Sequence, residues 1–418
     1  MIPPVVANWI KFNISMRKYV FVTPRIEGMG GAQMYLYSKY KTLFEQGWDV
    51  TLLHGSRKPS ILPVFKDFHN AIPELIFQTN CYTKRRVNKV IDHIIQMYFT
   101  KEYEEIIIES TCIPQSTWAE LLAQRVGGKH LAYLLQEKNV LSRNLADFFK
   151  FKQDRGELAG IKQVTISRMF QPYITFNEND VKVLAAYGCS NTVFDVEHPI
   201  VDQVKDLDVD YIIGSIGRLD KPIVRPSLEK VYNFISQHPA NSFALVLLGG
   251  ANIPDDVLQV RELFKDLSNC KILISGFLFP LPKAIFQLID VFFGTAGSAN
   301  VARREGCISI SIDAVDCLPI GILGQTTNNT LSRSADEPPL DLCELLEDVF
   351  YKKKYKRIDA VPVPAPDYTS HFEFLSSSNQ EKVYYDVFKI KNSSLHSQLM
   401  KVFISIFGPY KYRDFRKK

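Results

Sequence analysis

Short apolar runs alternate along the chain with longer segments in which apolar residues recur every three or four positions. The first run, residues 19–23 (YVFVT), ends at a proline and is typical of a buried parallel strand. A glycine-rich turn at residues 28–31 (GMGG) follows, then a predicted helix over residues 32–46 and a second strand over residues 49–54. A strand–helix–strand unit with a glycine-rich first crossover predicts an open parallel sheet.

The same alternation continues and then restarts near residue 210. In the first half, strands are predicted over residues 105–109 and 131–135, with a helix over residues 116–125 between them. In the second half, strands are predicted over residues 211–216, 243–248, 271–275, 290–293 and 308–313, and helices over residues 228–237, 255–267, 282–288, 298–305 and 340–351. Two such series predict an α/β protein with two doubly wound domains and a ligand in the cleft between their sheets.

Breaks in this pattern divide the chain into four expected parts. These are an N-terminal extension (residues 1–16), a first Rossmann-like domain (residues 17–197), a second Rossmann-like domain (residues 198–365) and a C-terminal region (residues 366–418). The C-terminal region has two further predicted helices, over residues 380–391 and 394–406.

Composition and charge exclude several classes of protein. The 418 residues are 46% apolar and 23% charged, which excludes disordered and fibrous chains. A net charge of +5 is too small to predict a nucleic-acid-binding protein. The basic excess lies at the end of the chain, where residues 389–418 carry eight lysines and arginines against Asp414 alone.

The cysteine spacing and the lengths of the apolar runs indicate in which cellular compartment the protein is expected. Seven cysteines are scattered without any Cys-x-x-Cys spacing, which predicts free thiols in a reducing compartment such as the cytoplasm. The first fifteen residues have no charged leader and no small-residue cleavage site, so no signal peptide is expected. No run of apolar residues approaches the ~20 needed to span a bilayer. Histidines and cysteines show no metal-ligand spacing, and no structural metal is expected.

Three loops at predicted strand ends carry candidate chemistry, and each has a plainer alternative. The GMGG loop offers backbone amides to a phosphate, or is a tight turn that needs positive φ. Residues 217–221 (GRLDK) offer Arg218 and Lys221 to a diphosphate, or form a solvated turn in which Asp220 pairs with one of them. Residues 294–300 (GTAGSAN) open a helix toward an anion, or provide an N-cap at Ser298.

The order of these loops over residues 18–325 resembles the nucleotide-sugar glycosyltransferases of the GT-B fold, and most of all the bacterial family-four enzymes. The matching segments are GMGGAQ, GRLDK, LLGG, ISGF and GSAN followed by EGC. The resemblance implies that Arg218 and Lys221 hold the donor diphosphate. It implies further donor contacts from Gly30, Gly31, Gly249, Gly250, Phe277, Gly297, Ser298 and Asn300. Such enzymes usually need neither a metal nor another cofactor, in agreement with the missing Asp-x-Asp motif.

Two departures from the family pattern concern the catalytic residues. The family lysine falls five residues after the arginine, where this chain has Ile223, while Lys221 falls three after. The family's two glutamates, eight residues apart, are replaced by Phe293 and Val301. Glu305, one helical turn beyond Val301, either reaches the ribose or the sugar instead, or is a solvated helix-end residue. The family implies retention of the anomeric configuration.

The acceptor side and the C-terminal tail give further candidates. Glu109 and Gln136 end predicted strands on the cleft side and are candidates for acceptor binding, or are ordinary polar strand ends. The resemblance implies a C-terminal helix that crosses back to the first domain. Residues 394–418 combine an apolar stripe with a basic end, which indicates either a docked helix or an element attracted to anionic lipids.

Taken together, the resemblance implies a cytoplasmic glycosyltransferase, peripheral to the inner face of the membrane. It would move a sugar from a nucleoside-diphosphate sugar to a glycan or lipid-linked acceptor in surface polysaccharide synthesis. The missing glutamate pair leaves open a catalytically inactive relative that serves as a binding or regulatory subunit. A nucleotide-sugar epimerase is a third interpretation, but its carboxylates and histidines find no match in the chain.

Overall fold

The computed structural model describes residues 16–65, 70–135, 141–161, 163–171, 173, 182–187, 192–362, 365–377, 381–390 and 395–416. The strands are β1 (Arg17–Thr23), β2 (Asp49–His54), β3 (Glu105–Ser110), β4 (Lys129–Leu134), β5 (Leu158–Gly160), β6 (Lys182–Val183), β7 (Val193–Phe194), β8 (Tyr211–Ile216), β9 (Phe243–Leu248), β10 (Cys270–Ile274), β11 (Leu281–Pro282), β12 (Val291–Gly294), β13 (Ile308–Ile312) and β14 (Pro319–Ile322). The helices are α1 (Gly31–Glu45), α2 (Lys84–Tyr98), α3 (Ile113–Val126), α4 (Ala146–Asp154), α5 (Gln163–Phe170), α6 (Pro199–Lys205), α7 (Val224–Gln237), α8 (Pro254–Leu263), α9 (Ile285–Leu288), α10 (Gly297–Arg304), α11 (Leu342–Phe350), α12 (Thr369–Ser377), α13 (Leu395–Phe407) and α14 (Pro409–Phe415).

The first sheet has the strand order β2-β1-β3-β4-β5-β6, and all its pairings are parallel. Val20 at the centre of β1 pairs with Thr51 of β2 and Ile108 of β3. Apolar side chains project from both faces of β1. Val20 packs into the hydrophobic core on one face of the sheet, and Phe21 packs into the core on the other face. A strand buried on both faces needs a continuous apolar run, which explains why residues 19–23 could be recognised in the sequence.

The second sheet has the order β10-β9-β8-β12-β13-β14, with β14 antiparallel at its edge. Within this unit the order corresponds to 3-2-1-4-5-6, that of a dinucleotide-binding Rossmann fold. The expected fold class, two Rossmann-like α/β domains, is confirmed. A two-stranded ribbon, β7 with β11, ties the segment between the domains to the second one.

The C-terminal region packs on the first sheet. On one face α12 contributes Phe374 and Leu375 to the core, and on the other face Ile404 of α13 and Tyr412 of α14 are buried. The helix predicted over residues 394–406 corresponds to α13 within one residue.

The helix predicted over residues 380–391 is wrong. Residues 381–390 are extended except for one 3-10 turn at Val387–Lys389, capped by the Asp386 side chain. The backbone N–H of Tyr385 donates to the buried Glu120 carboxylate, and the Tyr384 hydroxyl donates to the Gly128 carbonyl. Polar groups of the first domain therefore anchor this segment through one backbone and one side-chain hydrogen bond.

Candidate functional site

The candidate site lies where the strand order of the second sheet reverses, between β8 and β12. Open α/β sheets bind ligands at this point, beyond the carboxyl ends of the strands. The loops after β8 and β12 line a small pocket there, together with the start of α7. Its lining residues include Gly217, Arg218, Lys221, Gly294, Thr295 and Ser298.

Glycines let three loops of the second domain approach one another closely beside this pocket. A Cβ atom on Gly249 would lie 1.8 Å from the Gly217 carbonyl oxygen, so no other residue fits there without moving the backbone. A Cβ atom on Gly250 would lie 3.0 Å from the backbone nitrogen of Phe277. The predicted residues Gly249, Gly250 and Phe277 are therefore brought together with the Arg218 loop.

Arg218 forms an ion pair with Asp220, as the plainer alternative for this loop predicts, but makes no hydrogen bond with it. Its Nε lies 3.4 Å from Asp220 Oδ1, yet both atoms are buried without a hydrogen bond from any described residue. The other Asp220 oxygen accepts a 2.8 Å hydrogen bond from the Asn252 side chain. The Arg218 side chain remains 36% exposed, so its guanidinium can take an anionic partner.

The start of α10 forms the other wall of the pocket. Ser298 Oγ would lie 3.1 Å from a Cβ on Gly217, and Gly297 and Asn300 share its helical turn. Ala296, just before the helix, has φ of 51° and ψ of −126°, a conformation that L-residues rarely adopt. Its N–H donates to the Thr330 carbonyl at 2.5 Å. Strain is thus stored where the chain turns from β12 into the helix.

Glu305 does not belong to this pocket. It follows the last residue of α10, eight residues after Gly297, which places it about 12 Å along the helix axis from the N-terminal turn. Its place at the C-cap fits the helix-end interpretation. The alternative role, a contact with the ribose or the sugar, stays a prediction.

The glycine-rich loop of the first domain meets the second domain at this site. A Cβ on Gly28 would lie 3.0 Å from the side-chain oxygen of Asn252, the residue that also binds Asp220. Gly28 has φ of 81°, whereas Gly30 is the extended N-cap of α1 and Gly31 its first residue. A second contact joins the domains, with the Tyr37 and Phe279 ring centroids 5.2 Å apart.

Two residues at this contact between the domains, Glu27 and Asn252, were not predicted from the sequence. Glu27 immediately precedes Gly28, and its Oε2 is buried without a hydrogen bond from the described residues. Its Oε1 lies 3.9 Å from Arg413 Nη1 of α14. A carboxylate next to the glycine turn, and an amide directly after Gly249–Gly250–Ala251, were the available signals.

Glu109 does not face the cleft, so the interpretation as an acceptor-binding residue is wrong. Its side chain is fully buried, and Oε2 accepts hydrogen bonds at 2.6 Å from both Lys39 Nζ and Tyr19 Oη. The Tyr35 hydroxyl donates to Oε1 at 2.8 Å. Burial lowers the pKa of Lys39, and Glu109 opposes that shift. Gln136 lies outside the described residues.

A second buried network in the first domain has the spacing of a nucleophilic triad. Ser110 Oγ lies 2.9 Å from His130 Nε2, and His130 Nδ1 lies 2.8 Å from Glu120 Oε2. Burial, followed by the charge of Lys152, lowers the pKa of His130 to about 4. All four side chains are at most 1% exposed, so no substrate reaches the serine. The arrangement is structural.

Within the described ranges, no group of three histidine, cysteine, aspartate or glutamate side chains has the geometry to hold a metal ion. Over the same ranges, no helix is both long and apolar enough to cross a bilayer.

Known proteins resemble this chain in their three-dimensional structure but not in their amino-acid sequence. No protein-family model and no curated protein sequence matches the chain. A glycosyltransferase from Rickettsia africae superposes with a TM-score of 0.54 over 94% of this chain and 99% of that one, at 13% identity. The chain has the GT-B fold. The Anabaena protein HepE, solved with UDP and glucose, superposes with a TM-score of 0.51 over 94% of this chain and 100% of its own, at 12% identity. At these identities the GT-B likeness describes the fold, and the chemistry must be argued from the site.

Proposed function

We propose that the protein is a glycosyltransferase that moves a sugar from a nucleoside-diphosphate sugar to a glycan or lipid-linked acceptor. Surface polysaccharide synthesis at the cytoplasmic face of the membrane is the setting we propose for it. The pocket at the strand-order reversal of the second sheet carries the proposal. There a partly exposed guanidinium whose Nε lacks a hydrogen bond from the described residues, a lysine and the start of α10 lie together, close to the glycine loop of the first domain.

Each part of this pocket has a role in such a transfer. The acceptor hydroxyl oxygen forms a bond to the sugar C1 as the bond between C1 and the diphosphate breaks, and the nucleoside diphosphate departs with the electron pair of the broken bond. Arg218 and Lys221 stabilise the negative charge that develops on the departing diphosphate, a role that a metal ion has in other enzymes. Ser298 and the amides at the start of α10 bind the phosphates, and Gly249 and Gly250, where the loops pack closely, lie near the nucleoside.

Binding of a nucleotide tests the donor site directly. We expect one of UDP, GDP, dTDP, ADP and CMP to raise the melting temperature of the full chain in a concentration-dependent way. Arg218→Ala should weaken its affinity by about tenfold to a hundredfold, since a hydrogen bond to a charged group contributes about 1.5–3 kcal/mol. Arg225→Ala, on the exposed Arg225–Glu229 pair of α7, is the matched control and should bind like wild type.

No melting shift with any nucleotide at millimolar concentration would refute the donor site. An equal loss in the Arg218 and Arg225 variants would show that charge in general, and not this pocket, attracts the nucleotide.

We propose that the configuration at C1 is retained, with the acceptor proton passing to the departing phosphate oxygen. In that case no protein base is needed, and Glu27→Gln should lower the transfer rate less than tenfold. An inverting reaction would need a base on the acceptor side, and Glu27 is the carboxylate beside the glycine loop. An inverted product by NMR, with a loss of 10² or more in Glu27→Gln, would contradict retention.

A catalytically inactive binding subunit is the second candidate, favoured by one observation. Phe293 and Val301, which are buried, occupy the slots of the family's glutamates, and Glu305 lies at the far end of α10. Slow hydrolysis of the donor without acceptor separates the two candidates. Hydrolysis that Arg218→Ala abolishes supports the enzyme, whereas nucleotide binding without any hydrolysis or transfer supports the inactive subunit.

We also propose that the tail at residues 394–418 associates with an anionic membrane surface, where a lipid-linked acceptor would be found. The apolar residues Leu399, Val402 and Ile406 of α13 support this proposal because they are more than half exposed.

A further inference from the structure

A wide pocket opens on the first domain between α2 and α13, and it shares no residue with the donor site. It encloses about 820 Å³, within the usual range for ligand pockets. Its walls are the N-terminal half of α2, the loop at residues 71–74 and Ser405 of α13. We refer to it as the α2–α13 pocket.

The wall formed by α2 is basic. Arg85, Lys89 and His93 lie on the exposed surface of the helix, and none makes a hydrogen bond or ion pair with another described residue. Arg86 donates from Nε at 3.1 Å and from Nη2 at 2.8 Å to one oxygen of Glu74, the acidic residue of the lining. The α2–α13 pocket therefore carries two cationic side chains beyond those that Glu74 can neutralise.

An exposed apolar ridge borders this basic wall. Leu399, Val402 and Ile406 recur at i, i+3 and i+7 along α13 and are 60%, 57% and 67% exposed. Ile404 of the same helix is fully buried in the core, so α13 is docked by one face and presents the other to solvent. Ser405, which lies between Val402 and Ile406 in the same helix, lines the α2–α13 pocket, so the ridge and the basic wall are neighbours on the surface.

We propose that this surface docks on an anionic phospholipid bilayer, with the ridge in the acyl–headgroup boundary and a headgroup phosphate in the α2–α13 pocket. Apolar side chains in line with cationic ones match a bilayer interface, where buried area and electrostatic attraction both contribute. The inference rests on the membrane association proposed above and gives it a binding site. It needs neither donor nor acceptor.

Vesicle co-sedimentation of the full-length chain tests the docking. We expect binding to phosphatidylcholine vesicles with 30% phosphatidylglycerol, and at least tenfold weaker binding to phosphatidylcholine alone. Arg85→Glu/Lys89→Glu should weaken binding to the anionic vesicles about 25-fold or more, because each basic residue near such a surface contributes roughly fivefold. Ile406→Ser should weaken it about tenfold, through the loss of buried apolar area.

Matched controls lie on the second domain. Arg261→Glu/Lys265→Glu makes the same charge change near α8, and Leu258→Ser removes a leucine that is 63% exposed. Both should bind vesicles like wild type, and unchanged melting temperatures should show that every variant is folded.

Three results would overturn the inference. One is equal binding to neutral and anionic vesicles, and another is loss of binding in the α8 controls to the same extent. The third is binding of inorganic phosphate or glycerol phosphate that depends on Arg85 and Lys89 without any vesicle binding, which would identify a soluble anion as the ligand. Nucleotide binding is measured separately, so failure here leaves the donor site standing, and the reverse holds as well.

Discussion

Polar residues lie at or just beyond the carboxyl ends of strands in both sheets, but their surroundings differ. Those of the first sheet are buried, whereas Arg218 of the second sheet is partly exposed. At the end of β3, Glu109 and Ser110 turn into the core and are fully hydrogen bonded by neighbours. Beyond the end of β8, Arg218 stays partly exposed with a buried nitrogen that no described residue satisfies. A buried charge that its neighbours fully hydrogen bond is part of the structure, whereas a partly exposed guanidinium with an unused donor can still bind a ligand.

The buried charges of the first domain also hold the C-terminal region in place. Lys39 Nζ lies 3.1 Å from His371 Nδ1 of α12, in addition to its contact with Glu109. In the second network, Glu120 accepts from Lys152 Nζ at 2.8 Å and from the backbone N–H of Tyr385. Each network therefore joins the first sheet to a segment more than 200 residues away in sequence.

Lys39→Met provides the strongest test of this contrast. Removing one partner leaves the Glu109 carboxylate buried without its countercharge, and we expect a loss of about 3–5 kcal/mol in the free energy of unfolding. All three tryptophans lie within the first 118 residues, so fluorescence in a denaturant titration reports on the first domain.

The double variant Lys39→Met/Glu109→Gln should recover much of that loss, because it buries no unpaired charge. Lys150→Met, which breaks an exposed pair with Asp154, should cost no more than about 0.5 kcal/mol. A Lys39 variant as stable as the Lys150 variant would show that the buried pair does not hold the domain.

The pH dependence of unfolding is the next test. Burial, followed by the charge of Lys39, lowers the pKa of His371 to about 4, and the pKa of His130 is also about 4. An unfolded histidine has a pKa near 6.5, so between these values the unfolded chain binds more protons than the folded one. Stability is therefore full above about pH 6.5 and is lost as the pH falls toward 4.

Between pH 7 and pH 5, the expected loss is about 2 kcal/mol for each of the two histidines. Hydrogen exchange read by mass spectrometry should show faster opening of β3 and β4 at pH 5, with smaller changes in β8 and β9. An equal response in both sheets would contradict the assignment of this sensitivity to the buried networks.

The positions of the strands could be predicted from the sequence, whereas the surroundings of the polar residues at the strand ends could not. Strands β2, β8 and β9 match their predicted bounds. The clearest of them is β9, an uninterrupted apolar run (FALVLL) that ends at Gly249. The partner of Glu109 is 70 residues away, and no local pattern reports that Lys39 is buried beside it. The loops proposed to bind the donor were recognisable because glycines and a helix start are local features, whereas the contact of Gly28 with Asn252 depends on how the two domains pack.

The smallest expected effect concerns strain, which also distinguishes the two domains. Among the described residues, the non-glycine positions with positive φ are Ala296, Cys317 and Lys353, and all of them lie in the second domain. At Ala296 the strain sits directly before the amides proposed to bind the donor phosphates. Ala296→Gly should relieve it and raise the free energy of unfolding by about 0.5–1 kcal/mol, after the extra entropy of glycine in the unfolded chain.

Ala299→Gly, in the first turn of α10, is the control and should lower stability by about 1 kcal/mol or more. If Ala296→Gly stabilises the chain and leaves nucleotide affinity unchanged, the local backbone does not depend on the strain, and the pocket is held by the close packing at Gly217 and Gly249. If it stabilises the chain but weakens nucleotide binding, the strained alanine is what keeps the amides in place. In that case the second domain gives up stability at its strand ends for binding, whereas the first domain uses its strand ends for stability.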